Sequence, residues 1–147
     1  MMANLKFLNS IVLFIVSCIS LIGCAPPEPQ LELKLENQPV EQVFSFADYC
    51  EEKYDSIYLI HPYDDEDEIY ALPYKMSQRL RDKCSFTMDD TFVRVLFIEK
   101  GTVKAYSEIG CTDVYFPSNK FFANKNLLPF NQLLILDKDR KVHLYSE

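Results

Sequence analysis

The residues of this 147-residue chain that could do chemistry are few and unevenly placed. They are five cysteines, at positions 18, 24, 50, 84 and 111, two histidines, His61 and His143, and a run of five acids, Asp64-Asp65-Glu66-Asp67-Glu68. The acids offer oxygens to Ca²⁺, but a calcium loop alternates its ligands, turns on a glycine and closes with a distal Glu. No glycine lies in the run, and Asp137-x-Asp139 fails for the same reason. Charge alone supports a plainer reading, a solvated loop or a negative patch that steers a basic protein partner. Two uncoupled histidines fall short of a zinc site or a catalytic triad. With three glycines, Gly23, Gly101 and Gly110, the chain has no phosphate-cradling loop, and without a Cys-x-x-Cys pair it lacks the redox motif. No catalytic residue, metal or cofactor is expected, and the chain reads as a non-enzyme.

The first 24 residues carry a single charge, Lys6, ahead of a mostly apolar run from Phe7 to Ile22. Its core, Ile11 to Gly23, is 13 residues long, whereas a membrane-spanning helix needs roughly 20 apolar residues. The run ends in Cys24-Ala25-Pro26-Pro27, without the Lys or Arg of a stop-transfer signal. This is the pattern of a cleaved targeting segment.

Within it, Leu21-Ile22-Gly23-Cys24 resembles the lipobox of bacterial lipoproteins, in which signal peptidase II cuts before the cysteine and a diacylglycerol is joined to its sulfur. The resemblance covers residues 1–24 and leaves the rest of the chain unassigned. It implies cleavage between Gly23 and Cys24, a lipid on Cys24, and a cell-envelope protein. At about 0.8 kcal/mol per buried methylene, two or three acyl chains make attachment effectively permanent. Ala25 after the cysteine resembles the sorting signal for the outer membrane, facing the periplasm where the host has two membranes.

Loss of Lys6 leaves 15 − 1 = 14 basic against 22 acidic residues, a formal charge of −8. Such a domain is repelled by phosphate, so nucleic acid is not an expected partner. Export also places the remaining thiols in an oxidising compartment. Cys50, Cys84 and Cys111 allow three pairings, and connectivity is not written in a sequence. Strand register favours Cys84 with Cys111, and leaves Cys50 on the apolar face of a helix.

Residues 24–30, the cysteine and a Pro-rich stretch, read as a semi-rigid tether that holds a domain roughly 20 Å off the bilayer; packing as an extended arm is the alternative. Residues 31–147 form one domain. Leu31 to Glu36 alternates like an edge strand, Ser45 suits an N-cap for a helix over 46–54, and 56–61 is rich in strand formers. Pro73 and the four-residue recurrence of Leu72, Met76, Leu80 and Cys84 predict a helix over 74–84. Its other face carries a basic stripe, Lys75, Arg79 and Lys83.

Thr91–Glu99 and Thr102–Ile109 flank Lys100-Gly101, the turn of a two-residue hairpin. In that register Ile98 faces Val103, Leu96 faces Ala105, Arg94 faces Ser107 and Phe92 faces Ile109. Arg94 then sits on an apolar face, where a charge must be paired. Ser118 suits the cap of a short helix through Phe121 and Phe122, and 133–136 with 142–145 form a closing hairpin. The pattern is α+β: a small, mainly antiparallel sheet of about five to six strands with two or three short helices over one face. Small size, segregated charge and missing catalytic signatures suit a lipid-anchored protein-binding module, or else a structural or accessory subunit of an envelope complex.

Overall fold

The structure, a computed structural model, describes residues 26–85, 91–117 and 126–145. Its strands are β1 (Val43–Phe44), β2 (Ser56–Ile60), β3 (Phe92–Glu99), β4 (Thr102–Gly110), β5 (Leu127–Pro129), β6 (Leu134–Leu136) and β7 (Val142–Leu144). Two short helices, α1 (Glu66–Tyr70) and α2 (Gln78–Ser85), lie between β2 and β3. The class is mixed α+β, mostly sheet, with more strands than the alternation suggests. They divide into two antiparallel sheets, one ordered β4-β3-β2-β5 and one ordered β1-β6-β7.

The reason for two sheets is written in β3. Its interior is buried on both faces, the condition of a strand covered from both sides. Val93, Val95 and Phe97 point into a core shared with Phe44 of β1, Leu134 and Leu136 of β6 and Val142 of β7. Leu96 and Ile98 point the other way, onto Ile69 of α1 and Leu80 and Cys84 of α2. The four-stranded sheet is therefore the middle of three layers, helices on one side and the small sheet on the other.

The β3–β4 hairpin forms where expected, with Lys100 (φ +49°) and Gly101 (φ +73°) both in the left-handed region that a primed two-residue turn demands. Ile98 faces Val103 as the spacing requires, but the ladder then shifts, and Phe97 faces Ala105. Lys104 is the extra residue of a β-bulge. Beyond it the pairs correct to Leu96 with Tyr106, Arg94 with Glu108, and Phe92 with Gly110. The bulge also reverses the faces of β4, so that Val103 joins the helical side while Ala105 and Ile109 join the inter-sheet core.

Other expected elements change in extent. The helix over 46–54 is a single 3-10 turn, Phe46–Tyr49, closed by a capping box between Ser45 and Asp48, because Cys50 is already extended. Helix α2 begins at Gln78 rather than 74, since Lys75 pairs with the hairpin: its N–H donates to the Gly101 carbonyl and its carbonyl accepts from Val103. Ser77 then caps the helix, its Oγ accepting from the Leu80 N–H at 3.1 Å. Leu33 and Leu35 are buried as their alternation implies, without becoming a strand. The helix expected after Ser118 lies outside the described residues. The closing hairpin is β6–β7, with Leu136 opposite Val142.

Candidate functional site

The five acids do not form an open loop. The Asp64 carboxylate accepts from the His61 N–H at 2.8 Å, and Asp65 caps α1 by accepting from the Asp67 N–H at 2.9 Å. Glu66, Asp67 and Glu68 then fall in the first turn, where negative charge complements the helix N-terminus. Ile69 is the buried residue that fastens α1 to the domain. Among the described residues no ion pair involves the side chains of Glu66, Asp67 or Glu68, and all three are exposed. Tyr63, 69% exposed, precedes them and the exposed Tyr70 follows. The run thus becomes a compact acidic face with aromatic edges.

Arg81 holds this helix in place. Its guanidinium donates to the carbonyls of Ile69 (3.2 Å), Tyr70 (2.9 Å) and Tyr74 (3.0 Å), at and just beyond the C-terminal end of α1. The anticipated basic stripe is divided. Lys75 lies on the hairpin, whereas Lys83 reaches Glu108 at 3.2 Å and stands over the Tyr106 ring, 4.9 Å from its centroid. Glu108 also pairs with the buried Arg94, Nε to Oε1 at 3.1 Å. This three-residue cluster ties α2 to β3 and β4.

A second exposed feature was not apparent from residue patterns. On the outer face of the β1-β6-β7 sheet, Val43 lies across from Ile135 and Ile135 across from His143. Leu133 and Tyr145 continue that row, joined by a bond from the Tyr145 N–H to the Leu133 carbonyl. Val43 and Leu133 are each 41% exposed. A two-residue strand is too short for alternation to reveal, which is why this face stayed hidden.

The remaining titratable groups have local work. Asp137 organises the β6–β7 turn, accepting from the N–H groups of Asp139 (2.9 Å) and Lys141 (2.8 Å). Its other oxygen meets His143 Nε2 at 2.7 Å, and the His143 and backbone hydrogen bonds hold its carboxyl below the usual range. Arg140 donates from that turn to the carbonyls of Asp113, Leu35 and Glu36. His61 is buried, and neither ring nitrogen has a hydrogen-bond partner; Nδ1 stands 3.8 Å from Asp64. Among the described residues no group of three or more His, Cys, Asp or Glu is placed to hold a metal.

The anticipated Cys84–Cys111 disulfide is not formed. Cys84 is fully buried on the helical side of the sheet, while Cys111 follows β4 and packs against the inter-sheet core on the other side. Burial pushes the Cys84 thiol up to about 11. Cys50 packs against the same core as Cys111, and its thiol is raised by burial and then by Glu52. Gly23 and Cys24 lie outside the described residues, and among those described no helix is long and apolar enough to cross a membrane.

The Pro-rich stretch is an arm laid on the domain. Tyr106 donates its N–H to the Pro29 carbonyl and accepts from the Leu31 N–H. Glu28 accepts from both the N–H and the hydroxyl of Ser77, at 2.5 and 2.6 Å. Nothing in a Pro-rich run signals a partner for Glu28 that lies 49 residues away. Comparison of the chain with family models, curated proteins and solved structures gave no match.

Proposed function

We propose that this is a lipid-anchored protein of the cell envelope whose domain is a non-enzymatic protein-binding module. One observation carries the reading: Glu66, Asp67 and Glu68 stand exposed on a short helix that the Arg81 guanidinium and Ile69 hold in place, with Tyr63 and Tyr70 beside them. Folding supplies Asp64 and Asp65 with local bonds and leaves the other three carboxylates pointing at water. A fixed patch of one sign steers a partner of the opposite sign and fixes its register, and tyrosines at its edge add amphipathic contact area. The partner this patch suits is a protein with a basic surface.

A second reading, an accessory subunit of an envelope complex, draws on the apolar row Val43, Leu133, Ile135 and Tyr145, since exposed apolar faces of this kind mark lasting contacts. The two differ in what breaks the complex. Replacing Glu66, Asp67 and Glu68 by Gln, Asn and Gln abolishes a charge-steered contact, whereas Val43→Ser with Leu133→Ser abolishes an apolar one. The anchor is tested at Cys24. Cys24→Ala leaves an uncleaved precursor without lipid, and normal processing of that variant refutes the anchor.

A further inference from the structure

We propose that the end of the domain carrying the Lys100-Gly101 turn rests on the headgroups of the membrane that holds the Cys24 lipid. The proposal rests on the lipid-anchor reading and adds an orientation to it. The arm fixes that orientation. Gln30 bridges Tyr106 in parallel, so the residues before Gln30 run toward Thr102, the start of β4, at the hairpin turn.

The arm is held at several points. Leu31 donates to the Tyr106 carbonyl at 2.7 Å, Ser107 Oγ donates to the Leu31 carbonyl at 2.8 Å, and Glu28 holds Ser77. Pro26 and Pro27 line a groove of about 450 Å³ with Lys75, Thr102 and Lys104. Cys24 precedes Pro26 by two residues, a reach of at most about 7 Å. A spacer of roughly 20 Å is thus unavailable while the arm stays docked, and a lipid on Cys24 is confined to that reach of Pro26.

Three lysines stand at this end, where a headgroup layer would cover them. Lys75 is exposed, and the side chains of Lys100 and Lys104 are 88% and 48% exposed. The neighbouring carboxylates are Glu28, which bonds Ser77 and lines the same groove, Glu52, which accepts from the Tyr54 hydroxyl, Asp55, which accepts from the Lys100 N–H at 2.6 Å, and Glu99, 40% exposed and 4.0 Å from both lysines. The five-acid run starts at the other end of the sheet. Asp64 follows the end of β2, where Ile60 faces Arg94, and Arg140 of the Asp137–Lys141 turn bonds Asp113, beyond the end of β4. Seating the lysines on headgroups therefore turns the acidic helix start toward a soluble partner.

The test uses the intact lipidated protein in vesicles of phosphatidylethanolamine and phosphatidylglycerol, with flotation scored first and lysine acylation rates then mapped by mass spectrometry. Lys138, 76% exposed in the turn at the far end, is the internal reference. The expected result is flotation with Lys100 and Lys104 acylated about fivefold or more slowly relative to Lys138 than in detergent micelles, the factor that 1 kcal/mol per lysine at a headgroup layer corresponds to. The Glu28→Ala variant, which loses both bonds to Ser77 and so loosens the start of the arm, still floats and loses part of that protection. Flotation with unchanged relative rates in the wild-type protein overturns the orientation and leaves the anchor standing. Failure to float, with no lipid on Cys24, overturns both.

Discussion

Arg94 and Glu108 lie directly across the β3–β4 ladder, 3.1 Å apart, because Lys104 bulges out of β4 and moves every later residue of that strand by one position. Without the bulge Arg94 would face Ser107. The pair is nearly enclosed, with Arg94 side-chain exposure at 7% and Glu108 at 15%, so its charge is poorly screened. Glu108→Gln is expected to lower the unfolding free energy by about 2 kcal/mol, the cost of removing one partner of a charged hydrogen bond. The double change Arg94→Met, Glu108→Leu is expected to stay within about 1 kcal/mol of wild type, since apolar replacement of a whole buried pair is often neutral. Denaturant titration decides it, and a double variant less stable than Glu108→Gln would show that the pair itself stabilises the fold.

Cys84 is expected to be the slowest of Cys50, Cys84 and Cys111 to alkylate, because it is fully enclosed between α2, on which it sits, and the sheet. Its thiol is raised from 9.0 to about 11, first by burial. A folded value above the unfolded one means its stabilising contribution is whole below pH 9 and is lost as pH rises through 11. Unfolding free energies of wild type and Cys84→Val should therefore converge between pH 9 and 11. Parallel pH profiles would contradict the burial argument.

His61 carries two ring nitrogens without hydrogen-bond partners in a nearly closed site. An unsatisfied buried polar group is costly, and an apolar replacement removes the cost. His61→Leu is expected to unfold at equal or higher denaturant concentration than wild type. A loss of more than about 2 kcal/mol would mean that the imidazole makes an interaction the fold requires.

How much of this was legible in the residues varies with the range of the interaction. The β3–β4 hairpin was readable because Lys100-Gly101 sits between two runs of strand formers and its turn chemistry is local. The bulge was not, since Ala105, Ser107 and Ile109 suit a strand in either register; the pairing of Arg94 with Glu108 was the one hint available. The acidic run looked like a loop because five like charges repel, yet Asp65 as cap and Ile69 as anchor make it helical. The two-sheet architecture depended on β1, too short to show a period. The arm depended on Glu28 and Ser77, whose pairing is purely tertiary. The resemblance to a lipobox, by contrast, rests on four adjacent residues, Leu21 to Cys24.

We propose that the acidic face of α1 recruits a basic protein partner at the membrane. This recruitment is tested most directly by affinity capture of the lipidated protein from its native envelope, beside the triple variant Glu66→Gln, Asp67→Asn, Glu68→Gln and the sheet-face variant Val43→Ser, Leu133→Ser. Recruitment by the acidic face gives one stoichiometric partner that is lost with the triple variant, weakened by added salt, and retained by the sheet-face variant. Retention by the triple variant with loss from the sheet-face variant would contradict it in favour of an accessory subunit, and capture of no partner by any form would contradict protein binding altogether.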